Sequence, residues 1–234
     1  MLAFDEINAL VANHGYRSID IDQYFDEMDL SDMDREDRKA FARRMRDEIF
    51  LVFSMIHLAL TYNAQNSIIN ARNYLRDAFL SAINEFTVAD SFLTKYAETF
   101  ADEIVEATVR NQGGVFEGDT TEYDNGAYFF SDDRATFIAE NEANVVFNYE
   151  QYRDAVRRGM KYKQWITMRD ERVRHTHALV DGVIVKIDEF FHVGDCQMRF
   201  CKDVLYGTPE EVINCRCVTR YLTEEQFKEI LRAE

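Results

Sequence analysis

The hydrophobic pattern of this chain changes its period at about residue 160, and the change predicts two kinds of structure. Before this point, apolar residues recur every three or four positions, which is the spacing of amphipathic α-helices. After it, short apolar runs alternate with turn residues such as Asp181-Gly182, which is typical of short strands. The sequence therefore predicts an α+β fold, with predominantly long α-helices over residues 1–160 followed by a small mixed α/β C-terminal module.

Four long helices are predicted in the first part, after a shorter one over Ala3–Asn13. Ser31 is a good N-cap for the first of the long helices, and Ser131-Asp132-Asp133 caps the last. The single proline of the chain, Pro209, leaves all of them uninterrupted. The long helices are predicted over Ser31–Tyr62, Ser67–Phe86, Thr87–Asn111 and Ser131–Arg158.

A glycine-rich segment over residues 113–130 precedes the last of these helices. Its Gly-Gly, Gly-Asp and Asn-Gly pairs predict a long loop, or a hairpin that turns at Asn125-Gly126. We therefore divide the chain into a helical body, residues 1–130, and a second part, residues 131–234, with a long helix and a compact module. The module is predicted to contain strands over 162–168, 183–187 and 214–222, a short helix over 172–180, and a C-terminal helix after Thr223.

The charge of the chain is concentrated in its helical part. Residues 161–234 contain 12 basic and 13 acidic side chains, so nearly all of the net charge of −16 lies in residues 1–160. Such a body repels phosphate backbones, and direct DNA binding by it is not expected. The negative charge fits either a well-solvated surface or a face that binds a basic protein partner. The longest apolar run, Ile49–Leu60, is too short to span a bilayer, so we expect a soluble protein without membrane contact.

All four cysteines, Cys196, Cys201, Cys215 and Cys217, lie in the last 40 residues. Cys215 and Cys217 do not pair easily across a single residue. A secreted disulfide scaffold would be smaller and richer in cysteine. The clustering therefore favours metal ligands or reduced structural thiols over disulfides.

A small metal site is the sharpest chemical hypothesis that these residues allow. Cys215 and Cys217 would project from one face of the predicted last strand, and His177 and Asp181 lie one helical turn apart. Together they offer the four N, S or O ligands of a structural zinc site, with Cys196 and Cys201 as alternates. The competing interpretation is a packed core of inert cysteines beside an ordinary Asp-Gly turn. Both interpretations require His177, Cys215 and Cys217 to cluster in space.

No convincing catalytic constellation is visible, and we do not expect an enzyme. A nucleophilic pair of Cys215 with His177 lacks an evident third orienting residue and a glycine-rich oxyanion turn. Neither the motifs of zinc deaminases nor the glycine patterns of nucleotide-binding loops occur. Glu142 falls on the apolar stripe of the last long helix. It either reaches water at the edge of the stripe or pairs with Arg169 or Arg172 of the module.

The order of residues in the last third resembles the C-terminal signature of the phage Mu F-like minor head proteins, a family of phage head morphogenesis proteins. The resemblance covers about residues 137–221. Two positions depart from the pattern: Asn141 replaces a threonine before the glutamate, and Cys201-Lys202 stands where proline-glycine is frequent. The matching residues are Glu142, Gly159, Trp165, Asp170, Arg172, His177, Asp181, Gly182, Asn214, Cys215, Arg216 and Cys217.

The resemblance implies a structural protein of a tailed phage or prophage that associates with the portal and is packaged in the capsid. Its partners would be the portal protein and other capsid or scaffold proteins. It would be found in the virion, in the capsid interior or portal region, after assembly in the host cytoplasm. We assign structural roles to six residues of the signature: Glu142, Trp165, Asp170, Arg172, Gly182 and Asn214.

Two other classes of function stay open. One is a metal- or cysteine-dependent hydrolase, or an injected effector that carries a Mu F-like module. The module is joined to toxin domains in some proteins, but here only a short helix is expected after it. The other is a generic helical interaction protein with a zinc-stabilised tail.

Overall fold

A computed structural model describes residues 20–111 and 128–233 of the chain. The predicted helix over residues 3–13 and the turn at Asn125-Gly126 lie outside these residues. The described helices are α1 (Ile21–Asp26), α2 (Asp32–Thr61), α3 (Gln65–Phe86), α4 (Ser91–Arg110), α5 (Asp132–Arg157), α6 (His175–Ala178), α7 (Pro209–Val212) and α8 (Glu224–Ala233). The described strands are β1 (Tyr162–Ile166), β2 (Ile184–Lys186), β3 (Phe191–Val193), β4 (Cys196–Met198) and β5 (Val218–Leu222).

Side-chain caps explain where three of the four long helices begin, whereas α3 begins at Gln65 without one. The hydroxyl of Ser31 accepts a hydrogen bond from the backbone N–H of Asp34 at 3.3 Å, and that of Ser131 accepts one from Arg134 at 3.1 Å. Helix α4 begins at Ser91, later than predicted, because Asp90 caps it by accepting from the N–H of Leu93. The α+β class and the long helices are thus confirmed. None of the described helices is long and apolar enough to cross a membrane.

The described chain divides into two compact units. One, the helical unit, contains residues 20–22, 36–111 and 128–142. The other, the mixed unit, contains residues 23–35 and 143–233. The expected boundary at residue 130 precedes α5, whereas this division falls within α5.

The helical unit has an aromatic core. The rings of Phe79 and Phe100 stack at 4.5 Å, and Phe41 meets Phe79 edge-on at 5.9 Å. Glu142 also belongs to this unit, and its carboxylate accepts a hydrogen bond from the hydroxyl of Tyr96 at 2.8 Å. A contact with Tyr96 was not among the two alternatives that the sequence offered for Glu142, a carboxylate that reaches water or a pair with Arg169 or Arg172.

The mixed unit contains a three-stranded antiparallel sheet in the order β2-β1-β5 and a separate β3-β4 hairpin. In the sheet, Trp165 of β1 lies opposite Thr219 of β5. The hairpin, with its turn at Gly194-Asp195, was not predicted from the sequence. The strands β1 and β2 end earlier than predicted. The helix predicted over 172–180 is also reduced, to α6, and the last strand, predicted over 214–222, begins only at Val218. Cys215 and Cys217 therefore lie in the extended segment before β5, and their predicted place on a strand was wrong.

The core of the mixed unit surrounds Trp165, which is fully buried. Its indole ring meets the rings of Phe191 and His177 edge-on, at 5.3 Å and 5.4 Å. Cys215 and Cys217 belong to the same buried cluster. The core thus brings α6 beside the segment that leads into β5.

Candidate metal centre

Three potential metal ligands, the side chains of His177, Cys215 and Cys217, meet in the core of the mixed unit. The Nδ1 atom of His177 lies 3.3 Å from the Sγ of Cys217 and 3.6 Å from the Sγ of Cys215. The ligand atoms of all three residues lie within 4.8 Å of one another. All three side chains are buried. The predicted clustering of these residues is therefore confirmed.

Local backbone geometry presents the two sulfurs to the histidine. Asn214 takes a left-handed conformation, with a φ of 56°, and so turns the chain between α7 and the cysteine segment. Asparagine adopts this conformation more readily than most residues. Arg174, just before α6, donates a hydrogen bond to the carbonyl of Ile213. This bond ties the start of the histidine helix to the residue before the turn.

The second ring nitrogen of His177 contacts a carboxylate that was not predicted from the sequence. The Nε2 atom of His177 lies 2.9 Å from the Oε2 of Glu211, which also accepts a hydrogen bond from the Thr176 hydroxyl at 2.9 Å. A histidine that binds a metal usually donates its other ring N–H to such a group. Glu211 is the third residue of the four-residue helix α7, which begins at Pro209. Its position in the sequence, 34 residues from His177, gave no local signal of this contact.

Electrostatics favour one thiolate in the pair of cysteines. A hydrogen bond from Cys217, together with the nearby His177, holds the pKa of the Cys215 thiol well below its usual value. The same hydrogen bond to Cys215, together with burial, raises the pKa of Cys217. Burial alone would lower the pKa of His177, but its hydrogen bond with Cys215 and the charge there raise it. A thiolate is the form of cysteine that binds metals, and of the two cysteines Cys215 forms it more readily.

A cavity of about 10 Å³ lies beside the three ligands. His177, Cys215 and Cys217 line it together with Asn214 and neighbouring residues. A space of this size holds about one water molecule. It is far smaller than the pockets of about 300–1,000 Å³ that bind small organic molecules. The site therefore has room for an ion or a water molecule, and none for an organic substrate.

The other predicted ligands lie outside the converging group, although Cys196 and Cys201 belong to the same buried cluster as Cys215 and Cys217. The carboxylate of Asp181 accepts a hydrogen bond from the backbone N–H of Thr167 and pairs with Arg169, both at 2.8 Å. Cys196 accepts from the backbone N–H of Thr208 at 3.2 Å. Neither Asp181 nor Cys196 nor Cys201 belongs to the group of converging ligand atoms found among the described residues.

Asp181 instead fixes the start of a turn. Its contacts with Thr167 and Arg169 hold the segment after β1 against the turn that leads into β2. Gly182, with a φ of 80°, supplies the left-handed residue of that turn.

An ion-pair network fixes the residue between the two cysteines. Arg216 is 8% exposed, and its guanidinium donates to both carboxylate oxygens of Asp170, at 2.9 Å and 2.7 Å. Glu27 lies 3.4 Å from the same guanidinium and also pairs with Arg172. Burial alone would raise the pKa of Asp170, but the hydrogen bonds and charge of Arg216 lower it. Asp170 and Arg172 thus act together to hold the Cys-Arg-Cys segment.

Comparison with known proteins identifies the family. The model of the family described as phage Mu protein F like protein matches residues 95–220, more than half of the chain. The chain therefore belongs to this family, and the resemblance seen in its last third is confirmed. The matched segment includes the three converging ligands and Glu211.

One relative with a described activity also matches. The chain is 28% identical over 152 residues to the NAD(+)--arginine ADP-ribosyltransferase EFV of Enterococcus faecalis (strain ATCC 700802 / V583). The match covers 61% of this chain and 31% of that protein, so the chain spans about a third of its relative's length. No solved structure matches the chain.

Proposed function

We propose that this protein acts in phage head morphogenesis, as a minor head protein that associates with the portal and is packaged in the capsid. The observation that carries the proposal is the family match over residues 95–220. It would work inside the capsid or at the portal of the virion, after assembly in the host cytoplasm. Its partners would be the portal protein and other capsid or scaffold proteins.

The surface of the helical unit supports a role in protein contacts. Leu51, Leu58 and Tyr62 are 45%, 55% and 75% exposed. The spacing of Leu51 and Leu58 places them on one face of α2, and Tyr62, directly after this helix, donates its N–H to the carbonyl of Leu58. Exposed apolar residues that share a face are typical of protein interaction sites. The acidic character of residues 1–160 favours a protein partner over DNA.

Co-expression tests this proposal. The chain would be produced with the portal, capsid and scaffold proteins encoded beside it, and purified heads would be probed for it with and without the portal. We expect copies of the chain in heads that contain the portal, and fewer in portal-free heads. A Leu58→Asp, Tyr62→Asp variant should be incorporated less, whereas the control Val88→Asp, at an exposed position outside α2, should behave like the wild type. Heads that contain none of the chain would contradict the proposal.

We further propose that the metal centre binds one zinc ion in a structural role. The ligands would be the sulfurs of Cys215 and Cys217 and the Nδ1 atom of His177, a soft donor set that suits zinc. The low pKa of Cys215 and the small cavity support this assignment. A zinc ion there would join α6 to the segment before β5.

A cysteine hydrolase is the rival function that the geometry itself raises. Glu211 contacts His177 as the third member of a nucleophilic triad would, a residue that was not apparent in the sequence. However, Cys215 and Cys217 are only 2% and 4% exposed, and the adjoining cavity has the volume of about one water molecule. A thiol that attacks a substrate needs more access than this, so the burial favours metal binding.

The name of the bacterial relative raises a second enzymatic alternative, ADP-ribosyl transfer. We expect no such activity, because the match covers only 31% of that protein. Incubation with NAD⁺ and an arginine-containing acceptor protein, followed by measurement of nicotinamide release, tests it. Release above that of a heat-denatured control would support the enzymatic alternative.

A further inference from the structure

We infer that Glu211 is the positioning residue of the metal centre, and that it holds His177 so that Nδ1 faces the two cysteine sulfurs. The inference rests on the zinc site proposed above, and it adds a residue that donates no ligand. The sequence signature gave no indication of this role.

The contacts of Glu211 determine which ring nitrogen is available to a metal. The ionised carboxylate only accepts hydrogen bonds, so the proton of a neutral His177 lies on Nε2, 2.9 Å from Oε2. The lone pair of the neutral ring then lies on Nδ1, which is the atom that faces Cys215 and Cys217. Carboxylates in this position fix the tautomer and ring orientation of metal-binding histidines.

The carboxylate is itself held in place by its surroundings. Thr176 donates its hydroxyl to the same oxygen that faces His177. Gly194 packs against the other oxygen of the carboxylate, since a Cβ atom at this glycine would lie 2.5 Å from Oε1 of Glu211. The side chain of Glu211 is only 12% exposed. The carboxylate of Glu211 thus lies where three elements meet: the turn of the β3-β4 hairpin, α6 and α7. A glutamate side chain in solvent is not constrained in this way.

Its neighbour Glu210 provides a matched control. Glu210 lies on the same short helix and is exposed, whereas the side chain of Glu211 is largely buried against His177. Removal of either carboxylate makes the same change in net charge. A difference between the two variants therefore reports on the contact with His177.

Metal affinity of the full-length protein tests the inference. Zn²⁺ affinity would be measured by competition with a chromogenic chelator for the wild type, Glu211→Ala, Glu211→Gln and Glu210→Ala. Loss of a group that orients a metal ligand typically weakens binding by about 10- to 100-fold, and we expect a loss in this range for Glu211→Ala. Glu211→Gln keeps an acceptor oxygen and should recover much of the affinity, and Glu210→Ala should match the wild type. A folded Glu211→Ala variant with wild-type affinity would overturn the inference.

Two spectroscopic readouts separate positioning from general stability. With Co²⁺ in place of zinc, the thiolate charge-transfer absorption should persist in Glu211→Ala at saturating metal, because both sulfurs still bind. In ¹⁵N-histidine NMR spectra of the wild type, His177 should be protonated at Nε2 and bound to metal through Nδ1. Coordination through Nε2 would overturn the inference even if Glu211→Ala failed to fold.

Failure of the zinc proposal can be distinguished from failure of this inference. A wild type that binds neither Zn²⁺ nor Co²⁺ would contradict the zinc site. The protected Nε2–H signal of His177, and its loss in Glu211→Ala, would still report the positioning contact in the metal-free protein. Absence of that signal from the metal-free wild type would overturn the role of Glu211.

Discussion

The Nδ1 atom of His177 lies 3.3 Å from the Sγ of Cys217, although 40 residues separate them in the sequence. The contact joins α6, which follows β1, to the segment that enters β5. A metal ion bound there would link two segments that are far apart in the sequence, the one around His177 and the one around Cys217. Binding to the folded state alone would then stabilise the mixed unit by mass action.

Removal of zinc should lower the thermal stability of the mixed unit. The only tryptophan of the chain, Trp165, is buried beside His177, so its fluorescence reports on this unit. A free ligand at about 100 times its Kd contributes about 2.7 kcal/mol. For a chain of this size, that corresponds to a decrease in Tm of about 5 to 10 °C on chelation.

Cysteine variants provide the controls for that measurement. Cys217→Ser should have a low Tm that a chelator does not change further. Cys196→Ser, outside the ligand group, should keep the response to chelation. Equal Tm values for the wild type with and without chelator would contradict a structural zinc.

Loss of the Asp170 carboxylate should destabilise the mixed unit. Asp170→Ala removes both hydrogen bonds that Arg216 donates to this residue. A buried charged group that loses its partner costs about 1–3 kcal/mol or more, and we expect a loss of about 2 kcal/mol in the free energy of unfolding. Urea unfolding followed by Trp165 fluorescence measures it, with the exposed Asp188→Ala as the control. An unfolding free energy of Asp170→Ala within about 0.5 kcal/mol of the wild-type value would show that the pair of Asp170 and Arg216 contributes little to stability.

The ion pair between Asp170 and Arg216 should make the free energy of unfolding depend on pH in the acidic range. The pKa of Asp170 is lower in the folded protein than its ordinary value of 3.8, so the unfolded chain takes up its proton first as the pH falls. The stabilisation is therefore complete above that ordinary value and is lost as the pH falls through the folded pKa. The difference in unfolding free energy between the wild type and Asp170→Asn should shrink in this acidic range. A difference that stays constant with pH would argue against the ion pair.

Lys163 should make the protein more stable as the pH rises. This lysine is fully buried beneath the rings of Tyr152 and Phe191, and burial lowers its pKa from 10.5 to about 8. Between these values the unfolded chain binds more protons than the folded one, so stability rises with pH by at most about 3 kcal/mol from this group. Lys163→Met should lack the increase. The test compares the free energy of unfolding in urea of both proteins near pH 8 and near pH 10. An equal change with pH in the wild type and in Lys163→Met would contradict this role of Lys163.

The contact between Tyr96 and Glu142 should couple α4 to α5 in the helical unit. A double-mutant cycle with Tyr96→Phe and Glu142→Gln isolates it, and we expect a coupling energy of about 0.5–1.5 kcal/mol. Unfolding followed by circular dichroism, which reports the helices, measures each variant. Additive effects of the two substitutions would show that the hydrogen bond contributes no coupling.

The helices were predictable because their signals are local. Ser31 and Ser131 cap the helices that they were expected to begin, and Gly159, with a φ of 71°, follows the end of α5. The clustering of His177 with the Cys-Arg-Cys segment was also predictable, since both the packed-core and the metal interpretations required it.

The errors lie where contacts between distant residues decide the structure. Asp181 has the right spacing from His177 for a ligand, but the backbone of Thr167 and the side chain of Arg169 bind its carboxylate. Glu211 was missed because nothing near it in the sequence marks a partner for histidine. The β3-β4 hairpin was missed because its strands have only three residues each, although Gly194-Asp195 is a recognisable turn signal.

The zinc content of the purified protein shows directly whether the centre formed by His177, Cys215 and Cys217 binds a metal. Metal analysis by mass spectrometry, with protein concentration from amino-acid analysis, would be performed on the wild type, a Cys215→Ser, Cys217→Ser variant and the control Cys196→Ser. We expect about one zinc ion per chain in the wild type and in the control, and loss of zinc from the double variant. A folded wild type that contains no zinc after purification without chelators, and takes up none on titration, would contradict it.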